Sequence, residues 1–171
     1  RGDAPANRRA PDAAVGDLLP VIDRVLGPLV TAGQPDDSGG IDVRAVVDAR
    51  SFHTVFQPIV DLRTEATVGF EALTRFEDGT PPHVRFLQAA ALGLGMELER
   101  ATLEVALAEA RDLPAGRYVS YNVSASLLLE GELGGTLDAG AHHEVVLEIT
   151  EHERIDDYDA VRSAMSGLGD R

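Results

Sequence analysis

The sequence has 171 residues, 44% of them hydrophobic and 26% charged, which is the composition of a folded rather than a disordered chain. Its formal net charge is -14 and all 15 basic residues are arginine, which argues against a groove that tracks a nucleic-acid backbone. No cysteine is present, so disulfides and thiolate metal sites are excluded; a bound metal would be held by oxygen or imidazole, as magnesium, manganese and calcium are.

No apolar run approaches the roughly 20 residues that span a bilayer. The chain opens on Arg1 with no signal-like segment after it. The expectation is a piece of a longer, cytoplasmic polypeptide. An anionic ligand on so acidic a chain requires a local positive feature, either a metal or a well-placed arginine.

Residues 1–17 are polar, Ala-rich and Pro-containing, and read as a flexible leader. Leu18, Ile22, Leu26 and Leu29 then recur at helical spacing, and the Gln34–Gly40 breaker closes a linker over 18–40. That helix either packs on the domain or connects to an upstream sensor domain. From Ile41 to Arg50 the pattern predicts a short helix. Strands follow at Val55–Val60 and Thr67–Phe76, and Pro58 marks the first as an edge or irregular strand. Pro81-Pro82 opens a helix running through Phe86, Leu87, Ala90 and Ala91. A second helix spans Glu97–Asp112, beyond the turn at Gly93-Leu94-Gly95. Tyr118–Val123 is a strand, Leu127–Leu129 a short helix, Gly131–Gly140 a Gly-rich loop, Glu144–Thr150 a strand and Asp157–Leu168 a final helix. Alternating strands and helices predict a largely parallel sheet with helices outside it. Strands of such a sheet are buried on both faces and read as apolar runs.

Glu71, Asn122 and Glu148 break those runs, each toward the C-terminal end of its strand. One such residue is ordinarily a structural hydrogen bond or ion pair. Buried polar groups need partners, and three on successive strands point to a shared site. The C-terminal face of a parallel barrel is where active sites are built, and Glu, Asn and Glu are the oxygen donors that hard divalent cations take. These residues predict an oxygen-ligand metal site in an α/β barrel without revealing a substrate. The His142-His143-Glu144 run is a weaker metal candidate and reads as a solvated loop. His53 and His152 lie at strand ends, where hydrogen-bonded histidines are ordinary. Asp156, Asp157 and Asp159 sit where the last helix begins, as caps do.

The run Phe56-Gln57-Pro58-Ile59-Val60 followed by Gly69-Phe70-Glu71-Ala72-Leu73-Thr74-Arg75-Phe76 resembles the opening of the EAL family, named for the Glu71-Ala72-Leu73 triplet. The resemblance continues through Phe86-Leu87, Ala91-Leu92-Gly93-Leu94, Glu97-Leu98-Glu99, Asn122-Val123-Ser124 and Glu148-Ile149-Thr150-Glu151, in order and at matching spacing. It implies a (β/α)8 TIM-barrel-like fold whose first strand runs antiparallel to its neighbours. The function it implies is hydrolysis of the bacterial second messenger cyclic di-GMP to linear pGpG by a two-metal mechanism. Glu71, Asn122 and Glu148 match the ligands of the catalytic magnesium or manganese ions. Arg75 matches an arginine that contacts a ligand phosphate, Gln57 a glutamine near the nucleotide, and Glu151 a glutamate that orders an active-site loop.

The family pattern goes on to paired aspartates, a lysine and a further glutamate. None of these is reached by Arg171, and the sequence has no lysine. Residues 41–171 are therefore expected to be the first half of the domain, inactive alone and active in the complete domain. The implied partners are cyclic di-GMP, an upstream sensor domain and a second copy in a homodimer. The alternative is a catalytically inactive module that binds cyclic di-GMP or a protein partner.

Overall fold

The computed structural model describes residues 42–150 and 157–169. The predicted leader and linker, Glu151, His152 and Asp156 lie outside the described residues. Helix α1 (Val43–Ala49) begins at Asp42, whose carboxylate accepts the Arg44 N–H at 2.9 Å, the usual way to satisfy an orphan donor of the first turn. Val43, Val46 and Val47, at i, i+3 and i+4, form its buried stripe. The helix ends where Arg50 turns left-handed at φ 49°.

Strands β1 (Phe52–Val60) and β2 (Thr67–Phe76) form an antiparallel hairpin. Its turn is held by the Asp61 carboxylate, which accepts the N–H groups of Arg63 at 2.8 Å and Thr64 at 3.0 Å. Pro58 sits in β1, a terminal strand of the sheet, where a missing N–H is tolerated. The register slips between Ile59 and Val60.

Helix α2 (Pro82–Ala91) starts with proline in its first turn, and α3 (Gly95–Glu109) runs on into a 3-10 turn at Ala110–Asp112. Strand β3 (Tyr118–Val123), helices α4 (Ala125–Leu129) and α5 (Leu133–Gly140), strand β4 (Glu144–Ile149) and helix α6 (Tyr158–Leu168) complete the order. Among the described residues the sheet is four-stranded in the order β1-β2-β3-β4, with β2, β3 and β4 parallel in sequence. The two parallel crossovers carry helices, as a βαβ unit must.

One face of the sheet is packed. Val119, Tyr121 and Val123 of β3 join Leu103 and Leu107 of α3, Leu127 and Leu128 of α4, Leu133 and Leu137 of α5 and Val161 of α6 in one buried cluster. A second cluster joins α1, the Phe52 and Phe76 ends of β1 and β2, and Ala89 and Leu98. In it the Phe76 ring meets Phe52 at 5.9 Å and Phe86 at 6.2 Å, both edge-on.

The structure differs from the sequence reading at three places. Residues 131–140 are not a loop throughout: Leu133 and Leu137 are four apart, both fully buried, and this pair pulls Leu133–Gly140 into a helix despite its glycines. His143 is not solvated but half-buried, with Nε2 2.9 Å from the Ala110 carbonyl and Nδ1 3.2 Å from that of Arg117, so it stitches the start of β4 to the β3 side. The strands are not buried on both faces. In β4, Val145, Leu147 and Ile149 turn toward the helices while Glu144, Val146 and Glu148 are exposed, because no layer of described residues covers the opposite face.

Candidate metal-binding site

That open face carries the polar strand residues. Side chains alternate along a strand, so Ser120 and Asn122 of β3 share a face. The register pairs Glu71 with Ser120 on one side and Asn122 with Glu148 on the other, and pairs Gln57 of β1 with Glu71. Gln57, Glu71, Ser120, Asn122 and Glu148 therefore lie on one face, opposite the helix-packed core. Asn122 and Glu148 are next to last in their strands; Glu71 is mid-strand in β2, not toward its end. The β2–β3 pairing stops at Ala72, so Glu71 is nevertheless near the end of that ladder.

Strand β3 supplies a donor to each neighbour. Asn122 Nδ2 donates to Glu71 Oε1 at 3.1 Å, and Ser120 Oγ donates to Glu148 Oε1. Ser120 is fully buried at 0% exposure, whereas Asn122 and Glu148 are exposed and Glu71 is half-buried.

Behind Asn122 the chain turns into α4. Ser124 caps that helix, its Oγ accepting the Leu127 N–H at 3.0 Å. Glu99 of α3 accepts both the Ser124 N–H and the Ser124 hydroxyl, the latter at 2.7 Å, so a carboxylate from the helical layer fixes the end of β3. Ser120 was not singled out in the sequence, and Ser124 and Glu99 entered only as members of matching runs, without a role. The available signal was serine at i−2 and i+2 from Asn122.

Arg75 is on the same strand face as Glu71 but four residues further on, about 13 Å at the usual strand rise. It is exposed, pairs with His53 in the β1–β2 ladder, and its Nη1 donates to the Thr74 carbonyl at 2.8 Å. The structure does not bring it into contact with Glu71, Asn122 or Glu148. The loop after it is held by a separate set of contacts. Buried Arg85 of α2 pairs with Asp78, donates to Thr80 Oγ1 at 2.8 Å and stands 5.5 Å from the Phe76 ring centre. The Thr80 N–H, 2.9 Å from Asp78 Oδ1, and then the Arg85 contact hold the Asp78 carboxyl below its usual range.

The donors fit a hard divalent cation. Each carboxylate has one oxygen engaged by a β3 side chain, and among the described residues no hydrogen bond is recorded to Glu71 Oε2 or Glu148 Oε2. Asn122 spends its N–H on Glu71, which leaves its carbonyl oxygen for a cation. Among the described residues no three His, Cys, Asp or Glu gather as a metal cluster; this set is two carboxylates and a carboxamide. The His142-His143-Glu144 run is not part of it. A groove lined by Arg100, Glu104, Arg111 and Glu132 lies between α3 and α5, on the helical side and away from these donors.

Comparison with known proteins gives a consistent assignment. The EAL domain family model matches residues 42–171. Uncharacterized proteins of Mycobacterium tuberculosis and Mycobacterium bovis are 35% identical over 131 residues, covering 66% of this chain. The chain spans only 42% of the length of those relatives. An EAL domain protein from Listeria monocytogenes superposes with a TM-score of 0.64 at 19% identity, over 78% of this chain and 56% of that one. The manganese and cyclic di-GMP complex of Klebsiella pneumoniae BlrP1 superposes with a TM-score of 0.57 at 27% identity, over 69% of this chain and 32% of that one. The antiparallel β1 followed by parallel β2, β3 and β4 is thus the strand arrangement of a TIM-barrel-like EAL fold. With its helix-backed sheet and its match over residues 42–171, the chain belongs to the EAL domain family.

Proposed function

We propose that this chain carries part of a cyclic di-GMP phosphodiesterase site, with Glu71, Asn122 and Glu148 as ligands of magnesium or manganese. The observation that carries the reading is the convergence of three oxygen donors on one open sheet face, with the Asn122 and Glu148 positions in direct register. The BlrP1 structure with manganese and cyclic di-GMP supports the ligand class.

Divalent ions held there would supply Lewis acidity and an activated water for in-line attack on phosphorus. The chain's own residues do the rest. Asn122 orients Glu71 through its amide, so that the second oxygen of that carboxylate stays available. Gln57, in register with Glu71, is assigned to the neighbourhood of the bound nucleotide. Arg75 is assigned to a ligand phosphate; its guanidinium is exposed on the same face, and that contact requires it to leave the Thr74 carbonyl. Glu151, outside the described residues, is assigned to ordering the loop after β4. The product is linear pGpG.

Residues 41–171 form the first half of the domain in this reading, after a leader (1–17) and linker (18–40). The setting is a cytoplasmic signalling protein with an upstream sensor domain, working as a homodimer. Among the described residues no helix is long and apolar enough to cross a membrane.

The test is turnover of cyclic di-GMP with manganese by the full-length polypeptide that carries this sequence. Glu148→Ala is expected to abolish hydrolysis, while Arg75→Ala mainly raises KM. Near-normal turnover by Glu148→Ala at saturating manganese would refute the ligand assignment. Tight binding by the wild type without turnover would make the chain a cyclic di-GMP receptor instead.

A further inference from the structure

Glu148 stands on β4 with its side chain exposed. Its register partner Asn122 spends the amide on Glu71. Among the described residues, the one hydrogen bond recorded to the Glu148 carboxylate comes from Ser120.

Ser120 itself is unusual for its place. It is at 0% exposure between buried Val119 and Tyr121, where alanine would pack as well and would carry no polar group to satisfy. Its hydroxyl does not turn to the backbone of its own strand. It reaches diagonally across to β4, past its register partner Val146, to the residue two further on.

We propose that Ser120 is a positioning residue for the metal site: it holds Glu148 Oε1 so that Oε2 faces the cation. The inference rests on the reading of Glu148 as a ligand. Fixing one oxygen from a buried, rotamer-limited hydroxyl removes the torsional freedom that a long glutamate side chain otherwise loses on binding. Hydrogen-bond partners of metal ligands typically contribute about 10- to 100-fold in metal affinity.

The test uses the full-length polypeptide carrying this sequence and manganese alone as probe. Calorimetric titration gives Kd, and thermal unfolding monitors the fold. Ser120→Ala is expected to weaken manganese binding about 10-fold or more. Ser120→Cys, which keeps the shape and a weaker donor, is expected to lose severalfold less. Both variants should unfold within a few degrees of wild type. If wild type binds neither manganese nor cyclic di-GMP, the functional reading itself fails, whatever Ser120 does. If wild type binds and Ser120→Ala binds equally well, the positioning role is overturned. A loss equal in both variants and matched by an equal fall in Tm is the pattern of packing damage, and also overturns it. Should Ser120→Ala not fold, Ser120→Cys decides: a severalfold loss supports the role, and wild-type affinity overturns it.

Discussion

Replacing Glu99 with alanine separates the support of the site from the site itself. Glu99 reaches from α3 to accept the backbone N–H and the hydroxyl of Ser124, a residue 8% exposed. Without the carboxylate the Ser124 N–H is left buried and unpaired, which costs about 1–3 kcal/mol. The lost hydroxyl bond adds about 1 kcal/mol, since Ser124 Oγ still caps α4 through Leu127. Together the loss is about 2–4 kcal/mol, or roughly 4–16 °C in Tm for a chain of this size. Glu99→Gln keeps one acceptor oxygen and turns an amide toward the other donor, so its cost is smaller. Ser124→Ala forfeits the cap, about 1 kcal/mol, and one of the two bonds to Glu99. Because the pair is in contact, Glu99→Ala with Ser124→Ala should fall short of additivity by at least about 0.5 kcal/mol. Urea unfolding followed by circular dichroism measures all four corners of the cycle. A cost for Glu99→Ala below about 0.5 kcal/mol, or strict additivity, would refute the clamp.

Other outcomes follow from the packing. A Cβ on Gly69 would stand 2.6–2.8 Å from the Tyr118 ring, so Gly69→Ala should cost about 1–3 kcal/mol, and most of that should be recovered in a background of Tyr118→Ala. Denaturant midpoints of the two single variants and the double test this. Leu137→Ala should cost about 2–5 kcal/mol because the side chain is 1% exposed in the core; a loss under 1 kcal/mol would fit a loop instead of a helix. Burial pushes the Tyr121 phenol up from 10.0 to about 12. Between those values the folded state binds more protons than the unfolded one, so stability is full below pH 10 and falls as pH rises toward 12. Tyr121→Phe should flatten that alkaline slope, read as Tm against pH.

The regular elements were legible where periodicity and punctuation agreed. Thr67–Phe76 and Tyr118–Val123 form strands with the boundaries read from the sequence, since alternating or β-rich runs are bounded there by turns. Helix α5 was not legible, because Gly134, Gly135 and Gly140 carry low helix propensity and only tertiary burial of Leu133 and Leu137 overrides it. His143 was misread for a related reason: its two carbonyl partners, Ala110 and Arg117, come from distant sequence. The donors Glu71, Asn122 and Glu148 stood out as polar breaks in apolar strands. Their supports did not. Ser120 and Glu99 act across strands and layers, and a small serine within a strand gives no periodic signal. Arg75, assigned by resemblance, shares the strand face but not the immediate neighbourhood of the donors.

The position of a bound cation tests the metal site most directly. Crystals of the polypeptide carrying this sequence, grown with manganese and cyclic di-GMP, would locate it by anomalous scattering. A manganese peak is expected within about 2.0–2.5 Å of side-chain oxygens from Glu71, Asn122 and Glu148 together. A fully occupied manganese held elsewhere, with Asn122 still bonded to Glu71 and all three side chains free of metal, would contradict it.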